Sequence, residues 1–209
     1  MITIIDYGVG NLFSLQSSFE AIGKEVIISG NQKDIQQSDK IILPGVGAFC
    51  DAAEKLKKSK LDTVIREEVK NGKPLLGICL GMQLLFEKSY EYGEHLGLGL
   101  IQGKVKPIED IIPNDLKIPH IGWNALHFAE NQEKNPIFKY IKENDCVYFV
   151  HSYYADDCKE SVIATAEYGN ELTAAVACHN VYGCQFHPEK SGAVGLNILK
   201  AFCEIGDKT

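Results

Sequence analysis

No stretch of this 209-residue chain is apolar for long enough to cross a bilayer. The opening residues, MITIIDYGVGNL, carry no basic segment and meet an aspartate at position 6. They read as a first strand and not as a secretory signal. Basic charge is in deficit: 21 Lys and Arg against 28 Asp and Glu leave a formal net charge of −7. That favours solubility and argues against nucleic acid as a partner. Cysteines do not come in pairs. Seven occur, at 50, 79, 146, 158, 178, 184 and 203, in a chain long enough to build a core without staples. Reduced thiols in the cytoplasm are the expectation. Repeats, low-complexity tracts and linkers are missing as well, so a single domain over 1–209 is expected.

What is present is ordinary in amount and specific in order. Hydrophobic residues make up 45% and charged residues 23%, as in a soluble globular protein. Short apolar runs at 2–5, 25–29, 40–45 and 74–79 are apolar throughout instead of alternating, which suits a parallel sheet covered by helices. Between them, 11–23 places Leu12, Leu15, Phe19 and Ile22 on one helical face, with Gly23 as the stop. The polar piece 30–39 is too short for a long crossover helix, while 49–58 and 61–70 carry helical residues. GMQLLFEKS, from 81, reads as a further helix. From about 96 to 186 the chain turns strand-rich, predicting antiparallel additions to the α/β core. A helix over 191–205, with Ser191 as its N-cap, closes the pattern.

Cys79 stands out chemically. In LLGICLGMQLL it lies between Gly77 and Gly81 where a strand passes into a helix. Such a turn needs small neighbours, and it sets the thiol near the first free N–H groups of the helix, which favour a thiolate and can receive an oxyanion. A small buried hydrophobe is the competing account of the same residue. A thiol nucleophile needs a base, and of the histidines His187 is best placed: it ends a strand-like run, Pro188 stiffens the exit, and Glu189 is near enough to fix its tautomer. His151 also ends a strand and is placed to line the same cleft, but it has no adjacent carboxylate.

Two glycine-rich turns fail as nucleotide motifs. LPGVGAF at 43–49 lacks the P-loop lysine, and DYGVGNL at 6–12 lacks the third glycine of a dinucleotide fingerprint. The amides of the first can instead form an oxyanion donor. Cys178, His179, Cys184 and His187 crowd together, but Cys178 and His179 are adjacent in an expected strand and point apart, with no C-x-x-C beside them. No metal site is expected.

DYGVGNL, LPGVGAF, GICLGMQLL, PHIGWN, HSYY and QFHPEKSG, in that order, make the chain resemble the class I (triad) glutamine amidotransferases from end to end. The resemblance is greatest to the glutaminase subunits of imidazole glycerol phosphate synthase. It implies Cys79 as nucleophile, His187 as base and acid, and Glu189 as the residue orienting it. It implies an oxyanion hole from Gly47, Val46 and the amide of Leu80, with glutamine held by Gln83, Ser152, Tyr153 and Gly45. No cofactor is implied. The implied partner is a (β/α)8-barrel cyclase that receives ammonia through a channel in a heterodimer, contacted near Asn11 and Trp123. The same glutaminase residues also fit a paralogous subunit feeding another synthetase, as in amidino-sugar formation. An inactive regulatory homologue and a peptidase sharing the elbow fit them less well.

Overall fold

The structure, a computed structural model, describes residues 1–130 and 133–206. Positions 131–132 and 207–209 of the expected 1–209 unit lie outside the described residues. The first part of the chain builds a parallel layer: β1 (Ile2–Ile5), α1 (Leu12–Ala21), β2 (Val26–Ser29), α2 (Gln32–Gln37), β3 (Lys40–Leu43), α3 (Phe49–Lys58), α4 (Leu61–Lys70), β4 (Leu75–Ile78) and α5 (Leu80–Gln83). α1 starts on Asn11, whose side-chain oxygen accepts from the Ser14 amide. It stops as the Gly23 position predicts. Gly23, at φ 71°, donates to the Glu20 carbonyl, and Lys24 donates to the Phe19 carbonyl, a Schellman ending.

The rest adds β5 (Phe86–Ser89), β6 (His95–Leu96), β7 (Ile101–Pro107), β8 (His120–Ala125), β9 (His127–Phe128), β10 (Cys146–His151), β11 (Tyr153–Asp156), β12 (Val162–Glu167), β13 (Glu171–Cys178), β14 (Val181–Cys184) and α6 (Gly192–Glu204). The main sheet runs β2-β1-β3-β4-β14-β13-β12-β9. It is parallel from β2 to β14 and antiparallel from there to β9, the mixed α/β sheet expected from the sequence. A two-stranded sheet (β10-β8) and a four-stranded one (β11-β7-β5-β6) carry the remaining strands.

Strand alternation divides the core. Ile4, Ile42 and Leu76 pack on one face with Leu15 and Phe19 of α1 and Phe202 of α6. Ile5, Ile41 and Leu75 pack on the other with Phe49 and Leu56 of α3 and Ile65 of α4. β1, β3, β4 and β14 are buried throughout, which is why their sequences do not alternate.

Two local expectations are corrected and one is refined. The helix expected over GMQLLFEKS ends at Gln83, and Phe86–Ser89 is a strand. The carbonyls of Leu84 and Leu85, which a longer helix would use internally, instead accept from the amides of Leu98, Leu100 and Ile101. Ser191 is the N-cap of α6 as expected, its carbonyl accepting from the Gly195 amide, but its side chain makes no cap. Its hydroxyl donates to the His187 carbonyl at 2.7 Å and accepts from the Tyr148 amide at 2.9 Å. His179 lies past the end of β13 in a turn at φ 53°, so strand alternation does not govern it.

Candidate active site

Cys79 sits at the carboxyl end of β4, where open α/β sheets present their ligand sites. Its backbone is left-handed and strained, φ 54° and ψ −114°. Its amide donates to the Cys184 carbonyl at 2.7 Å, which ties the turn to β14. The flanking glycines are steric necessities. A Cβ on Gly77 falls 2.7 Å from the Gly81 carbonyl oxygen, and one on Gly81 falls 1.8 Å from that of Leu43. Cys79 is only 8% exposed and packs with the core, yet it also lines a cavity of about 620 Å³.

His187 lines the same cavity, with Glu189 behind it. His187 Nδ1 donates to Glu189 Oε1 at 2.7 Å, both side chains being almost fully buried. Burial works to lower the His187 pKa, but its hydrogen bonds to Cys79 and Glu189 outweigh that and raise it to about 9. The His187 backbone is fixed at both ends: its amide donates to the Tyr148 carbonyl, and its carbonyl accepts from Ser191. Glu189 Oε2 is buried with no partner among the described residues, so that carboxylate depends on the histidine for its neutralisation.

The cavity is also lined by Val46, Gly47, Leu80, Gln83, Ser152 and Tyr153, positions the resemblance had implied. Gly45 is not on that wall. It lies under the elbow, where a Cβ would come within 2.9 Å of the Gly81 nitrogen, the Leu80 Cβ and the Tyr7 hydroxyl. The two surface positions lie apart from this chemistry. Asn11 is exposed as the α1 cap, and Trp123 on β8 is 56% exposed, with its ring edge-on to Tyr148.

His151 lines the cavity, but sequence reasoning missed the buried polar framework around it. His151 Nδ1 donates to the Tyr153 carbonyl at 2.8 Å, and its Nε2 lies 3.0 Å from His120 Nδ1. His120 is stacked between Phe149 and Tyr168 and reaches Asn124 at 2.8 Å. Burial lowers the pKa of both rings, that of His151 to about 3, and keeps His151 neutral. Gln185, fully buried, lies 3.0 Å from Gln83 and 3.8 Å from Cys79 Sγ. Its one sequence signal was its place two residues before His187. The pairing of His120 with His151 had none.

Among the described residues no group of three or more His, Cys, Asp and Glu is arranged to hold a metal ion, and no helix is long and apolar enough to cross a membrane.

Comparison with known proteins gives the site its lineage. Residues 3–204 match the model of the family Glutamine amidotransferase class-I. The chain is 50% identical over 204 residues to the imidazole glycerol phosphate synthase subunit HisH of Lactococcus lactis, covering 97% of this chain and 98% of that protein. It is 47% identical over 207 residues to the subunit of the same name from Aquifex aeolicus, covering 98% and 97%. The structure of PurLQS from Thermotoga maritima superposes with a TM-score of 0.75 at 19% identity over 97% of each chain, a likeness of fold alone. The chain belongs to the class I glutamine amidotransferase family, among relatives that are HisH subunits of imidazole glycerol phosphate synthase.

Proposed function

We propose that this chain is the glutaminase subunit of an imidazole glycerol phosphate synthase, with residues 1–209 acting as one glutamine amidotransferase unit. The supporting observation is His187 held between Cys79 and the buried carboxylate of Glu189. The Cys79 thiolate attacks the side-chain amide carbon of glutamine, and the oxyanion forms beside the amides of Leu80 and the Val46–Gly47 segment. His187, protonated by the thiol, returns that proton to the leaving nitrogen, and ammonia departs. His187 then takes a proton from water, which attacks the γ-glutamyl thioester. Glutamate leaves and the thiolate is restored.

Gln83, Ser152 and Tyr153 hold the glutamine, and Gly45 serves by letting the 44–47 segment lie against the elbow. Ammonia is mostly ammonium at neutral pH and a poor nucleophile in that form, so the reaction profits from direct transfer to a partner. That partner is a (β/α)8-barrel cyclase of the histidine pathway, docking over the surface that carries Asn11 and Trp123. The two exposed apolar residues Ile121 and Trp123, two apart on β8 and so on one face, suit such an anchor.

The test reconstitutes the chain with the cyclase. Cys79→Ala is expected to abolish glutamine-dependent synthesis and to leave ammonia-dependent synthesis intact. Undiminished glutamine turnover in that variant sinks the mechanism. Failure of the cyclase and its nucleotide ligand to stimulate turnover by the unaltered chain sinks the partner assignment.

A further inference from the structure

Gln185 has no role in the triad, yet it is completely buried and its side chain reaches the nucleophile's sulfur. The direction of its hydrogen bonds follows from one fixed end. A backbone carbonyl only accepts, so the Gln83 group 3.3 Å from the Tyr153 oxygen is the NH2. That same nitrogen lies 3.0 Å from Gln185, which must therefore offer its oxygen there. Turning Gln185 over would set two amide nitrogens face to face. Its own NH2 is left pointing at Cys79 Sγ, 3.8 Å away.

An N–H can only donate, and sulfur accepts far better as thiolate than as thiol. Another neighbour of the sulfur is the Val150 carbonyl, at 4.0 Å, which can only receive an S–H. The sulfur thus neighbours both a group that favours the resting thiol and a group that favours the ionised form. Apolar burial alone drives a cysteine toward the thiol, so a donor inside the site has an evident use.

We propose that Gln185 stabilises the Cys79 thiolate by an N–H···S hydrogen bond, and that Gln83 holds Gln185 in the donating orientation. This rests on Cys79 being the reactive thiol of the reading above. It joins the residue assigned to the substrate with the nucleophile through one amide, so displacement of Gln83 also loosens the donor on the sulfur. Near Cys79 stand His187, with Glu189 behind it, and the buried Tyr7, while His151, Glu91, Glu109, Lys190, Tyr92 and Tyr153 share the cavity. Burial, with Cys79 nearby, raises the Tyr7 pKa and keeps the phenol neutral. Burial likewise keeps His151 neutral.

The experiment measures iodoacetamide alkylation of each cysteine against pH, by mass spectrometry, on the full chain and on Gln185→Met and Gln185→Glu. Methionine keeps the linear shape and removes the donor. Its expected effect is an alkylation rate at Cys79 lowered about tenfold or more at pH 7, with the midpoint moved up by about one pH unit. Glutamate, when ionised, presents acceptors only, and in that form is expected to lower the rate at least as far. Exposed Cys146 serves as the rate reference, and protection of buried Cys184 reports that the fold is intact. An unchanged Cys79 profile in a variant whose Cys184 stays protected overturns the proposal.

If both variants expose Cys184, the unaltered chain decides. The Gln185 side-chain amide resonances are then expected to shift with the Cys79 midpoint, and resonances that stay fixed through that ionisation overturn the proposal. Glutamine turnover enters none of these readings. A chain that alkylates as expected but fails to turn over glutamine with its partner counts against the proposed function and leaves the Gln185 bond standing.

Discussion

The elbow at 77–83 and the strand crossing at 151–153 face one cavity, but they are held in shape by different means. At the elbow the constraint is steric and local: Gly77 and Gly81 let β4, α5 and the end of β3 lie closer than any Cβ allows. At the crossing the chain leaves β10 in one sheet and enters β11 in another, with Ser152 between. There the shape depends on polar side chains far away in sequence. The Tyr153 carbonyl takes Gln83 and His151, and His120 and Asn124 stand behind His151. A steric constraint fails all at once, whereas a chain of hydrogen bonds can lose one member and relax. The two walls should therefore respond differently to substitution.

The largest effect is expected at the elbow. In Gly81→Ala the new methyl meets the Leu43 carbonyl oxygen at 1.8 Å, and that oxygen belongs to the backbone of a central, fully buried strand. Overpacking of this kind costs about 3 kcal/mol or more, and thermal melting is expected to drop by about 10 °C or to lose its cooperative transition. A variant melting like the parent would mean that the elbow is not the rigid part of the site.

The crossing should give a graded loss. Asn124→Ala removes the bond to His120 and the one its side-chain nitrogen donates to the Glu167 carbonyl. His120 stays stacked between Phe149 and Tyr168, so the ring keeps its place. A cost of about 1–3 kcal/mol is expected, read as a fall of about 5 °C in melting temperature with the transition still cooperative.

The same contrast explains what could be read in the sequence. The elbow was legible because its parts lie within seven residues and the reason for its glycines is local. The parallel strands were legible because burial on both faces removes alternation. Gly45, expected beside the substrate, lies under the elbow and off the cavity wall; a glycine's use under a neighbouring turn and its use beside a substrate look identical in a motif. The strand at Phe86–Ser89 was read as helix because its edge is set by Leu98, Leu100 and Ile101, which no window around residue 86 contains. Gln185 and the His120–His151 pair went unseen for the same reason: Gln185 and Gln83 are 102 residues apart, and the two histidines 31.

Histidine titration separates the walls by pH. His151 has its pKa depressed to about 3 in the fold, so its contribution to stability is whole above its unfolded value, near 6.5, and shrinks as pH falls from there toward 3. His187 has its pKa raised to about 9, so its contribution is whole below about 6.5 and is lost as pH rises toward 9. Melting temperature against pH is expected to fall off on both sides. His151→Phe should flatten the acid limb and His187→Phe the alkaline limb. If each variant flattened the opposite limb, the assignment of the two rings would be reversed.

The smallest effect on the isolated chain is expected outside both walls. Trp123 is a large aromatic, and a core tryptophan truncated to alanine costs several kcal/mol. Here the ring is 56% exposed and, among the described residues, its one ring contact is edge-on to Tyr148, with centroids 6.0 Å apart. Such a pair contributes about 0.5–1.5 kcal/mol, so Trp123→Ala should lower the melting temperature by about 2–4 °C at most. β8 keeps its pairing with β10 throughout, because that ladder uses only backbone groups. If Trp123 anchors the cyclase, the same variant should weaken partner binding about tenfold or more, measured by calorimetry against the unaltered chain. A small change in melting with a large loss of binding marks a residue whose value lies in the complex. A large change in melting with binding intact would make Trp123 part of the core and move the docking surface elsewhere.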